Sequence, residues 1–373
     1  MKRLLLAALC CLGLTACGTV PTYQEEAVLE TTAVPTTVPT TEAPTEPTTE
    51  PEVPFDYTIC FTGDISVEDG ARTTSRWIAN GRDTSACFDE TMMAHMQAAD
   101  ICFANNEFPY STRGHAIPNK DYTYRADPAN VQLMLDLGVD IVSLANNHMY
   151  DYGPDALLDT LDTLDAAGIE RVGAGKDLDE ASRTCFMELD GLTVAFLNGS
   201  RVEWAELTKG ATDDSPGVFR TVDPTLLYQR VREAREAADL VIVYMHWGIE
   251  GVDYLEEYQQ EVGKGLVDAG ADAVIGDHTH CLQGIEFYKG APIVYSLGNF
   301  WFNGKTQRTA LAELHVTGTQ SDYTLSLQYL PAMQDNCRVY TITDTGAQDA
   351  YYRYLESISP NAVFDGEGNC TEG

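Results

Sequence analysis

The chain is 373 residues long, 44% hydrophobic and 21% charged, with 57 acidic against 23 basic residues and a formal net charge of −34. That size suits one large domain or two small ones. The charge excludes nucleic acid as a partner, because phosphate backbones are held by clustered Lys and Arg. It fits a solvated surface, or one that gathers cations.

Lys2 and Arg3 precede an apolar core, Leu4 to Leu14, which is too short to cross a bilayer and has the form of an export signal. Leu14-Thr15-Ala16-Cys17-Gly18 follows and resembles the bacterial lipobox. The expectation is a lipoprotein signal over 1–16 and lipidation at Cys17. The chain would then sit, lipid-anchored, on the extracellular face of the membrane of a Gram-positive-type cell. Residues 17–54 are the anchor cysteine and a linker of Thr, Pro and Glu, which buries no core and favours polyproline II. At about 3.1 Å per residue it could reach on the order of 100 Å. Seven cysteines follow Cys17, an odd number without a C-x-x-C pair. This excludes a Cys-rich zinc module and points to buried free thiols, with one disulfide left open outside the cell.

The folded domain spans 55–373, with its motifs in 57–302. Tyr57 to Phe61 reads as a strand ending at Thr62-Gly63-Asp64. A polar, loosely helical stretch leads to Ala99. Ile101 to Ala104 is a second strand, ending in Asn105-Asn106-Glu107. Pro128 to Leu137 reads as a helix with proline in its first turn. Val139 to Leu144 is a third strand, ending in Ala145-Asn146-Asn147-His148. Gly153-Pro154 opens a helix with Leu157, Leu158, Leu161 and Leu164 on one face, closed by Gly168. Residues 171–175 form a short strand, and Asp190-Gly191 turns a hairpin that ends in Asn198-Gly199-Ser200-Arg201. Asp223-Pro224 starts a helix to about Ala238. Leu240 to Tyr244 is a buried strand ending in His246-Trp247-Gly248-Ile249-Glu250. A helix over Tyr254 to Ala269 leads into the strand Ala273 to Ile275, followed by His278 and His280. Tyr288-Lys289-Gly290 turns a second hairpin. The tail after Thr309 alternates apolar and polar residues and reads as antiparallel strands over 309–345.

Strands alternating with helices indicate an α/β domain. In such sheets ligands bind beyond the carboxyl ends of the strands. Those ends carry Asp64, Glu107, Asn147 with His148, His246, and His278 with His280. One polar strand end is turn chemistry; five in succession, all with metal-capable groups, are not. Carboxylate, amide oxygen and imidazole together suit hard or borderline cations. A two-metal centre activates water near neutral pH and clamps a phosphoryl or carbonyl oxygen. Asp151 is placed to orient His148. Arg125 and Arg201 are candidates for orienting an anionic substrate, with Asn299 and Gln283 at the site edge. His95 and His315 read as structural and His115 as loop surface.

The set FTGD (61–64), NNEFP (105–109), SLANNHMYDYG (143–153), HWGIE (246–250) and GDHTHCLQGIEFYKGAPIVYSLGNF (276–300) resembles the bacterial capsule-synthesis CapA proteins of poly-γ-glutamate production, relatives of the calcineurin-like metallophosphoesterases. The resemblance implies a four-layer α/β/β/α sandwich with the site on one edge. It makes Asp64, Asn147, His246, His278 and His280 metal ligands and His148 a general acid near the leaving group. Glu107 stands where phosphoesterases have a bridging Asp, and Ser66 where their first motif has a His. The implied cofactor is one or two divalent ions, Mn, Zn or Fe.

Two readings remain open. One is a surface lipoprotein of capsule or poly-γ-glutamate metabolism with a metal-dependent hydrolase site, acting on a phosphoester or a γ-glutamyl amide of an anionic polymer. The other is a non-catalytic polymer-binding or scaffold component, partnered with membrane proteins of capsule synthesis. A solute-binding lipoprotein shares the lipobox and linker but leaves the strand-end histidines unexplained.

Overall fold

The computed structural model describes residues 53–202 and 206–373; the export signal, Cys17 and the linker through residue 52 lie outside the described residues. The domain begins with β1 (Phe55–Ile65), α1 (Arg72–Ala79), α2 (Glu90–Ala98), β2 (Ile101–Asn106), α3 (Gln132–Leu137), β3 (Ile141–Ser143), α4 (Pro154–Ala167) and β4 (Glu170–Val172). It continues through β5 (Ala174–Gly175), α5 (Leu178–Ala181), β6 (Cys185–Leu189), β7 (Leu192–Ser200), β8 (Gly217–Val218), α6 (Thr225–Arg235), β9 (Leu240–His246), α7 (Glu257–Ala269) and β10 (Ala273–Asp277). It closes with β11 (Ile285–Tyr288), β12 (Ala291–Val294), β13 (Asn299–Trp301), β14 (Gln307–Thr319), β15 (Asp322–Asp335), β16 (Arg338–Thr341), α8 (Thr345–Ile358), β17 (Ala362–Phe364) and β18 (Asn369–Glu372).

One sheet has the order β17-β18-β15-β14-β1-β2-β3-β4, with β13 beside β1 and β16 beside β15. The other has the order β11-β12-β10-β9-β7-β6. Neighbours from β1 to β4 are parallel, as are β7, β9, β10 and β12. Parallel pairing puts the carboxyl ends of each set on one edge.

Alternation along the strands builds the layers, because successive side chains leave opposite faces of a sheet. Ile59, Phe61, Phe103 and Ile141 of the first sheet share a buried cluster with Phe196, Ile242, Tyr244 and Ile275 of the second. The Phe103 and Tyr244 rings stack at 4.7 Å across that seam. The intervening residues, Cys60, Cys102 and Val142 on one sheet and Ala195, Val241 and Val243 on the other, lie in a cluster with Met92, Leu137, Leu161, Leu227, Val231 and Leu266 of the helices. Helices on both outer faces complete a four-layer α/β/β/α sandwich. The cysteines among the described residues are free thiols, all buried except the half-buried Cys281.

Several local details differ from the sequence reading. Pro128 opens a 3-10 turn, Pro128–Val131, that runs into α3. Pro224 caps α6 rather than entering its first turn, and Asp223 accepts from the Thr225 amide. The strand expected over 171–175 divides into β4 and β5 at Gly173, whose φ is 92°. The tail forms the antiparallel strands β14, β15 and β16. It also carries α8, started by Asp344 accepting from the Ala347 amide and packed through Tyr351, Tyr352 and Leu355.

Candidate metal centre

β1 ends in Gly63 and Asp64 against the loop after β12. A side chain at Gly63 would place its Cβ 1.8 Å from the Gly298 carbonyl oxygen, so only glycine lets β1 close on that loop. The Asp64 amide donates to the same carbonyl at 2.8 Å. The turn after β10 holds His278 and His280 at φ 92° and 56°. Left-handed backbone is costly for a histidine and survives where surrounding structure enforces it. These turns bring together the ends of both sheets, joined by the Tyr244 hydroxyl donating to the Thr62 carbonyl at 2.8 Å.

His246 lies at the centre. Its Nδ1 is 2.7 Å from Asp277 Oδ1, which places the ring proton there and leaves a lone pair on Nε2. That Nε2 faces Asn147 Oδ1 at 2.7 Å, His278 Nδ1 at 3.0 Å and Glu107 Oε1 at 3.7 Å. Glu107 Oε1 is buried and has no hydrogen-bond partner. Four acceptor-type atoms therefore point at one another, and one shared ring proton cannot satisfy them all. A cation can. Beside this group, Asp64 Oδ2 lies 3.2 Å from His280 Nδ1, and His280 Nδ1 lies 2.8 Å from Asn299 Oδ1. Asn105 donates to Asp64 Oδ1 at 3.0 Å. Glu107 belongs to both sets: its ligand atom lies within 4.8 Å of those of His246 and His278, and of those of Asp64 and His280. This mixture of imidazole, carboxylate and amide oxygen fits a borderline divalent cation. Ser66 is buried, and its hydroxyl accepts from the Glu68 amide, so the Asp64 side has one imidazole where the His246 side has two.

The electrostatics agree with that reading. Burial, reinforced by the charges of Asp64 and Asp277, drives the Glu107 carboxyl far above its usual range. Burial, then Asp64, does the same to Asp277. Burial works upward on Asp64 too, but the hydrogen bond and charge of His280 hold it below the carboxylate range. Burial and the neighbouring His278 push His246 well down, and burial with His280 takes His278 to about 3. These two rings are held neutral, the form that binds metals. A bound ion would bring positive charge to these crowded carboxylates and favour their ionised form.

His148 stands at the side of this cluster. Its Nδ1 is 2.6 Å from Asp151 Oδ2, and its Nε2 is 4.0 Å from Glu107 Oε1. Asp151 is itself fixed by Lys120 Nζ at 2.8 Å and by the Tyr124 amide at 2.7 Å. The Tyr124 ring stacks on His148 at 4.0 Å. Lys120 also bonds the Asn147 carbonyl, so one buried lysine ties the base of the His148 dyad to a member of the cluster. A cavity of about 470 Å³ opens above, lined by Tyr122, Tyr124, His148, His280, Phe302, Glu68, Glu250, Arg72 and Lys305 among others.

The fold thus brings together Asp64, Glu107, Asn147, His148, Asp151, His246, His278, His280 and Asn299. Arg125 and Arg201 are engaged elsewhere. Arg125 lies over the Tyr152 ring at 4.1 Å and donates to the Arg113 carbonyl. Arg201 lies over the Tyr258 ring at 3.9 Å. Gln283 holds the carbonyls of Val252 and Tyr254. His95 pairs with Glu313, and His315 bonds Thr58 and Gln328. Sequence reasoning passes over Asp277, Asn105, Lys120 and Tyr124. Asp277 has a signal, a buried-strand carboxylate directly before His278; Lys120 has none.

The model of the family described as bacterial capsule synthesis protein PGA_cap matches residues 58–304. The PGA biosynthesis protein CapA of Bacillus subtilis (strain 168) is 32% identical over 225 residues, covering 59% of this chain and 58% of that protein. The capsule biosynthesis protein CapA of Bacillus anthracis is 31% identical over 232 residues, covering 60% of this chain and 56% of that protein. A probable polyglutamine synthesis accessory protein of Mycobacterium tuberculosis is 31% identical over 272 residues, covering 67% of this chain and 70% of its own. The chain therefore spans under two thirds of the length of the two Bacillus relatives. Among solved structures, a hypothetical protein from Thermus thermophilus aligns at a TM-score of 0.42 and 15% identity, over 74% of this chain and 99% of that one. A protein provisionally described as a 5'-nucleotidase from Staphylococcus aureus aligns at 0.41 and 15%, over 83% of this chain and 60% of that one.

Proposed function

The chain belongs to the bacterial capsule synthesis PGA_cap family, and on that premise we propose that it is a metal-dependent hydrolase acting on an anionic capsule or wall polymer at the cell surface. The observation that carries this reading is the convergence of His246 Nε2, His278 Nδ1, Asn147 Oδ1 and the unpartnered Glu107 Oε1. The relatives' roles in PGA and capsule biosynthesis support a glutamyl polymer as substrate. The bond cut is a phosphoester or a γ-glutamyl amide.

Asn147, His246, His278 and Glu107 would hold one divalent ion, and Asp64 and His280, with Glu107 shared, a second. Such an ion, Mn, Zn or Fe, supplies Lewis acidity and a water activated near neutral pH. The chain's own residues do the rest. Asp277 holds the His246 ring in the tautomer that bares Nε2. Asp151 holds His148 by Nδ1, so that Nε2 faces Glu107 and can give a proton to the departing oxygen or nitrogen. Tyr124 fixes the plane of that ring. Cys17, lipidated, and the Thr/Pro/Glu linker would tether the domain outside the membrane, next to the membrane proteins that make the polymer.

A second reading, a scaffold that binds polymer without cutting it, draws support from Ser66, which leaves the Asp64 side with one imidazole. Elemental analysis of the purified protein separates the two. Two metals bound in the parent and lost when His278 and His280 are both changed to Ala would support hydrolysis. No metal after reconstitution with Mn, Zn or Fe would leave the scaffold.

A further inference from the structure

We propose that Arg72, Arg76, Lys305 and Arg338 form a cationic lip that seats a polycarboxylate chain as it enters the cavity. The inference rests on the reading that the substrate is a glutamyl polymer, and it names the surface that would hold it.

α1 begins at Arg72, so Arg72 and Arg76 share a face one turn apart. Both reach the turn between β15 and β16. Arg72 Nη2 is 3.4 Å from Asn336 Oδ1, and Arg76 Nη1 is 3.3 Å from the Asn336 carbonyl. Asn336 and Cys337 take left-handed backbone there, with φ 46° and 63°, which swings Arg338 out to solvent at the start of β16. On the other side, a Cβ at Gly304 would stand 3.0 Å from Arg72 Nη1, so the loop carrying Lys305 lies directly against that guanidinium. Arg72 and Lys305 line the same cavity as His148 and His280.

None of these four cations pairs with a carboxylate among the described residues. Of the nearby acids, Asp335 bonds Thr306 and Asp83 bonds Ser85, while Glu68 and Glu250 line the cavity beside Arg72 and Lys305. In a chain of net charge −34, four basic residues without a carboxylate partner among the described residues are a local concentration of positive charge. Screening over about 8 Å at physiological salt lets the lip, rather than the net charge, set the potential that an arriving polymer meets. Arg72 and Arg76 both meet Asn336, Arg338 follows two residues on, and the loop carrying Lys305 lies against Arg72, so the set offers several acid groups of one chain a partner at once. Guanidinium forks match carboxylates, and the exposed Tyr122 offers an apolar wall for methylene stems.

The test uses the full chain in EDTA, so that the metal cluster contributes nothing. Binding of fluorescently labelled poly-L-glutamate is followed by anisotropy across a salt series, for the parent, the double variant Arg72→Gln with Lys305→Gln, and Lys176→Gln as a control outside the lip. Thermal unfolding checks that each variant folds. The expected result is an affinity about tenfold lower in the double variant, with a flatter salt dependence, and no change in the control. Equal affinity of parent and double variant, or no binding by the parent, would overturn the lip. Tighter, lip-dependent binding of inorganic polyphosphate would overturn the polycarboxylate assignment. A parent that binds the polymer through the lip but takes up no metal would refute the hydrolase and leave the lip standing.

Discussion

His246 Nε2 and His278 Nδ1 face each other at 3.0 Å, two imidazole nitrogens whose rings meet at 61°. Both rings are held neutral by burial. That separation serves an N–H···N hydrogen bond and equally two ligands of one ion.

The first expectation is thermal. Mn²⁺ or Zn²⁺ should raise the unfolding midpoint, EDTA should reverse the rise, and His278→Ala should abolish it. At a free ion concentration of about 100 times Kd the gain is about 2.7 kcal/mol. A midpoint indifferent to both metal and chelator would falsify the centre.

Lys120 and Asp151 are buried together, with side chains 3% and 0% exposed. Removing the cation alone strands a charge, at a cost of about 3–5 kcal/mol. Lys120→Met should be destabilising on that scale. Adding Asp151→Asn should recover part of the loss. Urea unfolding of both single variants and the double gives the coupling directly, and simple additivity would show that the pair does not act as a unit.

Phe103 stacks on Tyr244 and contacts Phe196 at the seam between the sheets. Phe103→Ala should cost about 3–5 kcal/mol. Phe186, 46% exposed on β6, should cost no more than about 0.5 kcal/mol on the same change. Equal losses at both positions would mean that the seam is not the core.

The hydrogen bond that His95 Nδ1 donates to Glu313 raises the pKa of His95 above that of free imidazole, against the opposing effect of burial. A raised folded pKa means stability that is fully present below about pH 6.5, the unfolded value, and that is lost as pH rises through the folded value. The thermal advantage of the parent over His95→Gln should therefore shrink as pH rises above about 6.5. An advantage that grows with pH would reverse the assigned sign.

Much of the site is legible in the sequence because parallel strands are continuous apolar runs that stop at polar residues. Asp64, Glu107, Asn147, His246 and His278 each follow such a run, and the fold gathers them. Asp277 escapes because it closes its strand and reads as the spacer before His278. Lys120 comes from a loop with no pattern, and only folding sets it against Asp151. Arg125 and Arg201 read as cations near polar strand ends, whereas their partners, Tyr152 and Tyr258, are set by tertiary stacking. α8 is hidden by the alternation before it, although its Asp344 cap and its Tyr351 to Leu355 spacing follow helical rules.

Asp64, Glu107 and Asn147 come from the first sheet, and His246, His278 and His280 from the second. A nascent chain that has emerged only as far as α6 holds both carboxylates and the amide but none of those three imidazoles. If such a half-made chain captured an ion, it would hold it chiefly by oxygen atoms, the kind of set that does not discriminate in favour of zinc or iron. The choice of ion thus belongs to the finished sandwich, and to whatever surroundings that sandwich meets once both sheets have closed.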